Sequence, residues 1–188
     1  PIHFQFIQAS LQKAGYRIVI PEVDDKSGVD MGLRYVNNDA CYPTLVVVGQ
    51  LVEALKSGKY DPDQTSIIMF QTCGGCRATN YIAMLRKALA DAGLGHVPVF
   101  SLWGEKSPGF SLTLPMVNDL VTGTLYGDLL MNVLHRVRPY EKVAGSTERL
   151  YHYWAKKCEV DLREGRRNHF KQNVYDIVRD FDQLEIRE

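Results

Sequence analysis

The sequence predicts an α/β fold: a Rossmann-like parallel sheet with flanking helices and a helical C-terminal third. Three observations carry this. Short apolar runs at residues 16–20, 66–70 and 97–102 alternate with stretches of helical spacing. That order, helix–strand repeated three times, calls for parallel strands joined by right-handed crossovers. Beyond Gly109 the pattern is helical only. The expected organisation is one domain over residues 1–188, with 1–109 forming the sheet and 110–188 a helical layer packed on it.

Phe4, Ile7 and Leu11 recur at helical spacing, and Ala14-Gly15 closes that segment. Tyr16-Arg17-Ile18-Val19-Ile20 reads as the first strand, stopped by Pro21. An irregular or weakly helical stretch follows to Asp39. Tyr42-Pro43 opens the next helix, since proline suits a first turn where its missing N–H costs nothing. Leu45, Val48, Leu51, Val52 and Leu55 give it an apolar face, and Gly58 ends it. The run Leu-Val-Val-Val alone also fits a strand; the spacing onward to Leu55 decides for helix.

Asp61-Pro62-Asp63 is turn chemistry, and residues 66–70 form a short strand. A helix then carries Ile82, Leu85, Ala88 and Leu89 on one face, with Gly93 beyond its end. Residues 97–102 are the third strand. Residues 112–134 read as helix with a break at Thr122-Gly123, and residues 148–157 and 168–181 read as two more. Leu130, Val133 and Leu134 are expected to face the sheet. The charged run from Asp161 to Arg167 reads as a solvated face.

With 45% hydrophobic and 23% charged residues, the 188-residue chain has the balance of a globular protein, which excludes disorder as its default state. A formal net charge of zero argues against a general nucleic-acid surface or a polybasic membrane anchor. The longest apolar run, near Leu45, is far too short for a membrane span. The chain starts at Pro1 without a signal-peptide pattern, which points to an excised piece of a longer polypeptide, a processed terminus being the alternative. Four cysteines without a secretory signal point to the cytoplasm, where such residues more often bind metals or react than form structural disulfides.

The chemistry concentrates at Gln71-Thr72-Cys73-Gly74-Gly75-Cys76-Arg77, where a strand gives way to a helix. In an open parallel sheet, ligands gather beyond the carboxyl ends of strands. A helix N-terminus favours a negative sulfur. Gly74 and Gly75 permit close backbone approach, and Cys-x-x-Cys spacing lets two sulfurs reach one metal. Cys41, just before Pro43, falls at another helix N-terminus and is expected to converge with Cys73 and Cys76. Three readings stay open on the residues alone: a metal or cluster site, a Cys73–Cys76 dithiol pair, or small residues fitting a turn. Cys158, near Trp154, reads as a packed thiol. His96 reads as a surface or hydrogen-bonding residue, not a zinc ligand. The Arg138-Pro139-Tyr140-Glu141 segment reads as structural. Neither a Walker sequence nor a dinucleotide fingerprint occurs.

Residues 32–43 (GLRYVNNDACYP), 71–89 (QTCGGCRATNYIAMLRKAL), 96–102 (HVPVFSL) and 126–148 (YGDLLMNVLHRVRPYEKVAGSTE) resemble the acyl-CoA dehydratase activase-related proteins, which include long activators of the 2-hydroxyglutaryl-CoA dehydratase type. The resemblance implies a Rossmann-like domain supporting 2-hydroxyacyl-CoA dehydration by electron transfer. It also implies a [4Fe-4S] cluster held by Cys41, Cys73 and Cys76. It matches Cys41 in its Cys-Tyr-Pro setting and Cys76 in its Gly-Cys-Arg-Ala-Thr-Asn-Tyr setting; in the family, glycine or another residue can stand where this chain has Cys73. The implied partners are the other domains of a longer activator chain and acyl-CoA dehydratase subunits. The actin-like ATPase portion of such activators has no counterpart in these residues. A noncatalytic interaction module and a Cys-x-x-Cys dithiol oxidoreductase are the alternatives.

Overall fold

A computed structural model describes residues 2–21, 25–69, 74–101 and 110–187. Its helices are α1 (His3–Lys13), α2 (Asp25–Tyr35), α3 (Tyr42–Lys56), α4 (Tyr81–Asp91), α5 (Leu114–Val137), α6 (Ser146–Glu164) and α7 (Phe170–Asp182). Two strands, β1 (Ile67–Met69) and β2 (Val99–Ser101), pair in parallel with Ile67 opposite Val99. Helix therefore dominates, around a small parallel sheet. The chain falls into two compact units, Pro1–Ile20 with Leu112–Glu188, and Pro21–Ser111.

The sheet unit is built around β1–α4–β2. Helix α3 starts as predicted, with Cys41 as N-cap and Pro43 in its first turn. Its Val48, Val52 and Leu55 pack with Ile67 and Met69 of β1, Ile82, Leu85 and Leu89 of α4, and Val99 of β2. Helix α2 occupies part of the stretch expected to be irregular or weakly helical, and decides it for helix. Its glycines lower intrinsic helix propensity, and tertiary packing on α3 overrides that. A Cβ on Gly32 would collide with the Leu45 carbonyl, and one on Gly49 with the Gly28 carbonyl. The two helices thus touch backbone to backbone along Gly28, Gly32 and Gly49.

The expected first strand does not form. Residues 16–20 have no ladder partner among the described residues. Instead the Ile18 carbonyl accepts hydrogen bonds from the Gln8 side-chain amide at 2.9 Å and from that of Gln12 at 3.4 Å. The β-prone composition does not make a strand here, because side chains of α1 take the Ile18 carbonyl. Only two of the three expected strands remain; Leu102, the last residue of the third, lies outside the described residues.

The helical unit packs α1 against α5 and α6, with α7 closing the group. Phe6, Ala9, Tyr126, Leu130, Trp154, Cys158, Leu162, Ile177 and Phe181 form its core. The anchor of α1 is thus Phe6, fully buried, while Phe4 is exposed. Leu130 and Val133, expected to face a sheet, serve this helical core. Helix α5 runs unbroken through Thr122-Gly123. Thr122 returns its hydroxyl to the Asn118 carbonyl at 2.8 Å, and Gly123 lets α1 approach, since a Cβ there would sit 3.0 Å from that of Phe6. No described helix is long and apolar enough to cross a membrane.

Candidate functional site

Cys41 and Cys76 both cap helices. Cys41 has extended backbone angles and precedes α3. Cys76 is also extended and precedes a short 3-10 helix, Arg77–Asn80, that runs directly into α4. The β-like angle is what an N-cap needs, and a side chain there turns back toward the helix's free N–H groups. The Cys76 sulfur does this, accepting from the Ala78 N–H at 3.5 Å. The Cys41 sulfur instead lies 3.0 Å from the hydroxyl of Thr44, three residues into its helix.

Tyr81, the first residue of α4, reaches Cys41. Its hydroxyl is 3.6 Å from the Cys41 sulfur. The thiol of Cys41 is held down at about 7 from an ordinary 9.0. The Thr44 hydroxyl contributes most, then the Tyr81 hydroxyl and the Thr44 backbone N–H, with the Arg77 charge assisting. Burial opposes these. On Tyr81 the Thr44 hydroxyl pulls the phenol down. The Cys41 sulfur, burial, and the negative charge of both Cys41 and Cys76 outweigh it, so the phenol is raised. The Tyr81 hydroxyl is therefore within electrostatic reach of both cysteines.

Of the three expected site residues, Cys41 and Cys76 each stand at a helix start of the sheet unit. Cys73 lies outside the described residues. Arg77 and the Asp39 carbonyl tie the two segments: the guanidinium donates at 2.6 Å. Gly74 has φ of +109°, a conformation that favours glycine. A Cβ at Gly74 or Gly75 would meet no described atom within 4 Å. Cys76 is exposed and Cys41 half-buried, so both sulfurs are within reach of a ligand.

Thr44 and Tyr81 escaped the sequence reading. Thr44 stands three residues after an N-cap, the spacing at which a side chain meets its cap, so its signal was local and legible. Tyr81 had none beyond its place at a helix start. Among the described residues, no group of three or more histidine, cysteine, aspartate or glutamate side chains is placed to hold a metal ion.

The remaining candidates resolve into structure. Cys158 is fully buried, and burial pushes its thiol up to about 12, with Asp161 adding to the rise. His96 lies 3.3 Å from the Asp63 carboxylate, both exposed. Glu141 accepts from the Gly145 N–H at 2.7 Å and the Thr147 N–H at 3.0 Å, filling the start of α6.

The charged run beginning at Asp161 is the expected solvated face only in part: Arg163, Glu164 and Arg167 are exposed, but its first residue is not. Asp161 is buried; Arg166 at 3.1 Å, His169 at 3.2 Å and Asn173 at 2.8 Å surround its carboxylate. Arg167 reaches Asp119, also buried, at 2.6 Å, and Lys13 reaches the other oxygen at 2.7 Å. A buried carboxylate is tolerable only when so engaged. Asp119, Tyr126, Asp161 and Arg166 line a cavity of about 10 Å³, room for one water. No protein-family model, no curated protein and no solved structure matches the chain.

Proposed function

We propose that this chain is a domain of an acyl-CoA dehydratase activase-related protein that binds an iron–sulfur cluster and relays electrons in support of 2-hydroxyacyl-CoA dehydration. The observation that carries the reading is that Cys41 and Cys76 each stand at a helix start of the sheet unit, the two segments tied by the hydrogen bond from Arg77 to the Asp39 carbonyl, with the Tyr81 hydroxyl on the Cys41 sulfur. The quoted resemblance supplies the family. In the same reading β1–α4–β2 is the centre of a Rossmann-like sheet, and the protein works in the cytoplasm beside other domains of a longer activator and dehydratase subunits. It has no role on nucleic acid or in a membrane.

The donor set fits such a cluster. Thiolates are the ligands of iron–sulfur centres, and hydroxyl donors hold Cys41 toward its thiolate form. Cys41, Cys76 and Cys73 would hold the cluster, leaving one iron position to an external or exchangeable ligand. When bound, a cluster supplies one-electron transfer. The chain's own residues do the rest: Thr44 and Tyr81 orient the Cys41 sulfur.

Anaerobic reconstitution with iron and sulfide tests this. The expected result is about one cluster per chain, the number three thiolates and one open position support. Cys76→Ser is expected to lose most of the iron, because a hydroxyl is a poor substitute for a soft thiolate. Cys158→Ser keeps it. Wild-type protein that stays iron-free overturns the reading and favours an interaction module. An iron-free protein with a reversible Cys73–Cys76 disulfide indifferent to Cys41→Ser favours the dithiol chemistry.

A further inference from the structure

The cysteine pair does not stand alone, and its neighbours have a chemistry of their own. Tyr81 is half-buried, and its hydroxyl lies 3.6 Å from the Cys41 sulfur. Thr44, fully buried, places its own hydroxyl 3.0 Å from the same sulfur. A buried threonine hydroxyl and a tyrosine hydroxyl thus converge on one sulfur. Neither is a good ligand for iron in competition with thiolate. Both are good donors to a sulfur that carries negative charge, since a thiolate only accepts.

We infer that Tyr81 is a positioning residue whose hydroxyl, together with that of Thr44, donates a hydrogen bond to the Cys41 sulfur and thereby raises the reduction potential of a cluster ligated there. This rests on the iron–sulfur reading. The physical reason is general. Adding an electron to a cluster increases negative charge on its sulfurs, so a donor to a ligand sulfur strengthens in the reduced state and favours reduction. Hydrogen bonds to the sulfurs are among the factors that set iron–sulfur potentials. The placement also has a mechanical consequence. Tyr81 begins α4 and Thr44 lies in the first turn of α3, so the hydroxyls fix the distance between the two helix starts that carry Cys41 and Cys76.

The experiment is a redox titration of the reconstituted chain followed by electron paramagnetic resonance, with iron content measured on the same samples. Wild type, Tyr81→Phe, Thr44→Val and a site-specific 3-fluorotyrosine at position 81 are compared. Tyr81→Phe is expected to keep its iron and shift the midpoint to more negative potential. Thr44→Val is expected to shift it in the same direction. Fluorination makes the phenol a stronger donor, so the midpoint moves the opposite way; a merely structural role cannot produce that reversal. A Tyr81→Phe protein with full iron and an unchanged midpoint overturns the inference and leaves the cluster reading standing. Should Tyr81→Phe fold poorly, an unchanged midpoint in the fluorotyrosine protein overturns it equally. Wild-type protein that takes up no iron overturns the cluster reading and this inference with it.

Discussion

In the helical unit, Asp119 and Asp161 are buried with every carboxylate oxygen engaged by a cation or an amide. In the sheet unit, Cys41 is half-buried with two neutral hydroxyls on its sulfur, and Cys76 is exposed with one long amide contact. Both regions hold groups that carry negative charge, and they hold them differently. The carboxylates are neutralised where they sit and have no capacity left for a ligand. The Cys41 sulfur is supported in charged form by hydroxyl donors that do not cancel the charge. The first arrangement fastens helices; the second leaves thiols exposed or half-buried.

The largest test of that contrast is Asp161→Ala. Removing the carboxylate strands Arg166, His169 and the buried amide of Asn173. A loss of about 3 kcal/mol is expected from breaking a buried charged cluster, read by urea unfolding. Iron uptake by the sheet unit should be unchanged. A loss below about 1 kcal/mol, the range of exposed pairs, would mean that the cluster is not a fastening.

Asp119→Asn should cost somewhat less, about 2 kcal/mol for the charged hydrogen bonds lost. Lys13 and Arg167 are partly exposed and can recover water, which limits the damage. An Asp119→Asn protein as stable as wild type would remove Asp119 from the same class as Asp161.

Acid sharpens the comparison further. Glu141 is lowered to about 2 from 4.5, chiefly by the Thr147 and Gly145 N–H groups. Burial raises Asp119, but Arg167 and Lys13 outweigh it and the net shift is downward. A group depressed on folding favours the folded state above its unfolded value and loses that effect as pH falls through its folded value. The Glu141 contribution is therefore complete above about pH 4.5 and disappears as pH falls through about 2. Glu141→Gln should flatten the unfolding curve across that window. A variant with the wild-type pH dependence would contradict the placement of Glu141 over the start of α6.

The smallest effects on stability belong to the sulfurs. Cys41→Ser should cost under about 1 kcal/mol, as ordinary partly exposed substitutions do. Its effect is on reactivity. At pH 7–8 iodoacetamide should label Cys41 readily, because its thiol titrates at about 7, while Cys158, buried and pushed up to about 12, should label only on unfolding. Equal labelling of Cys41 and Cys158 in the native protein, followed by mass spectrometry of the peptides, would erase the distinction.

How much of this was legible differs from element to element. Helix α3 was read from Pro43 and the spacing of Leu45, Val48, Val52 and Leu55, and α4 from Ile82, Leu85 and Leu89, because those signals repeat within a few residues of chain. Strands β1 and β2 were visible as short apolar runs. Cys41 and Cys76 were placed at helix starts for the same local reason. Phe6 was missed in favour of Phe4 because two faces of α1 carry aromatic residues, and only contact with Tyr126 and Leu130 chooses between them.

What the sequence determined by itself was set by neighbours in the chain: helix starts and stops, amphipathic faces, and two cysteines preceding helices. What only the tertiary structure decided involves partners far apart in sequence. Residues 16–20 have β-prone composition, but Gln8 and Gln12 took the Ile18 carbonyl and no strand formed. Asp161 sits in a charged run that looks solvated, yet His169 and Asn173 of the next segment, with Arg166, enclose it. Tyr81 meets Cys41 across forty positions. Spacing along a chain fixes which side a residue faces on its own helix; it carries no term for what the rest of the fold brings opposite that side.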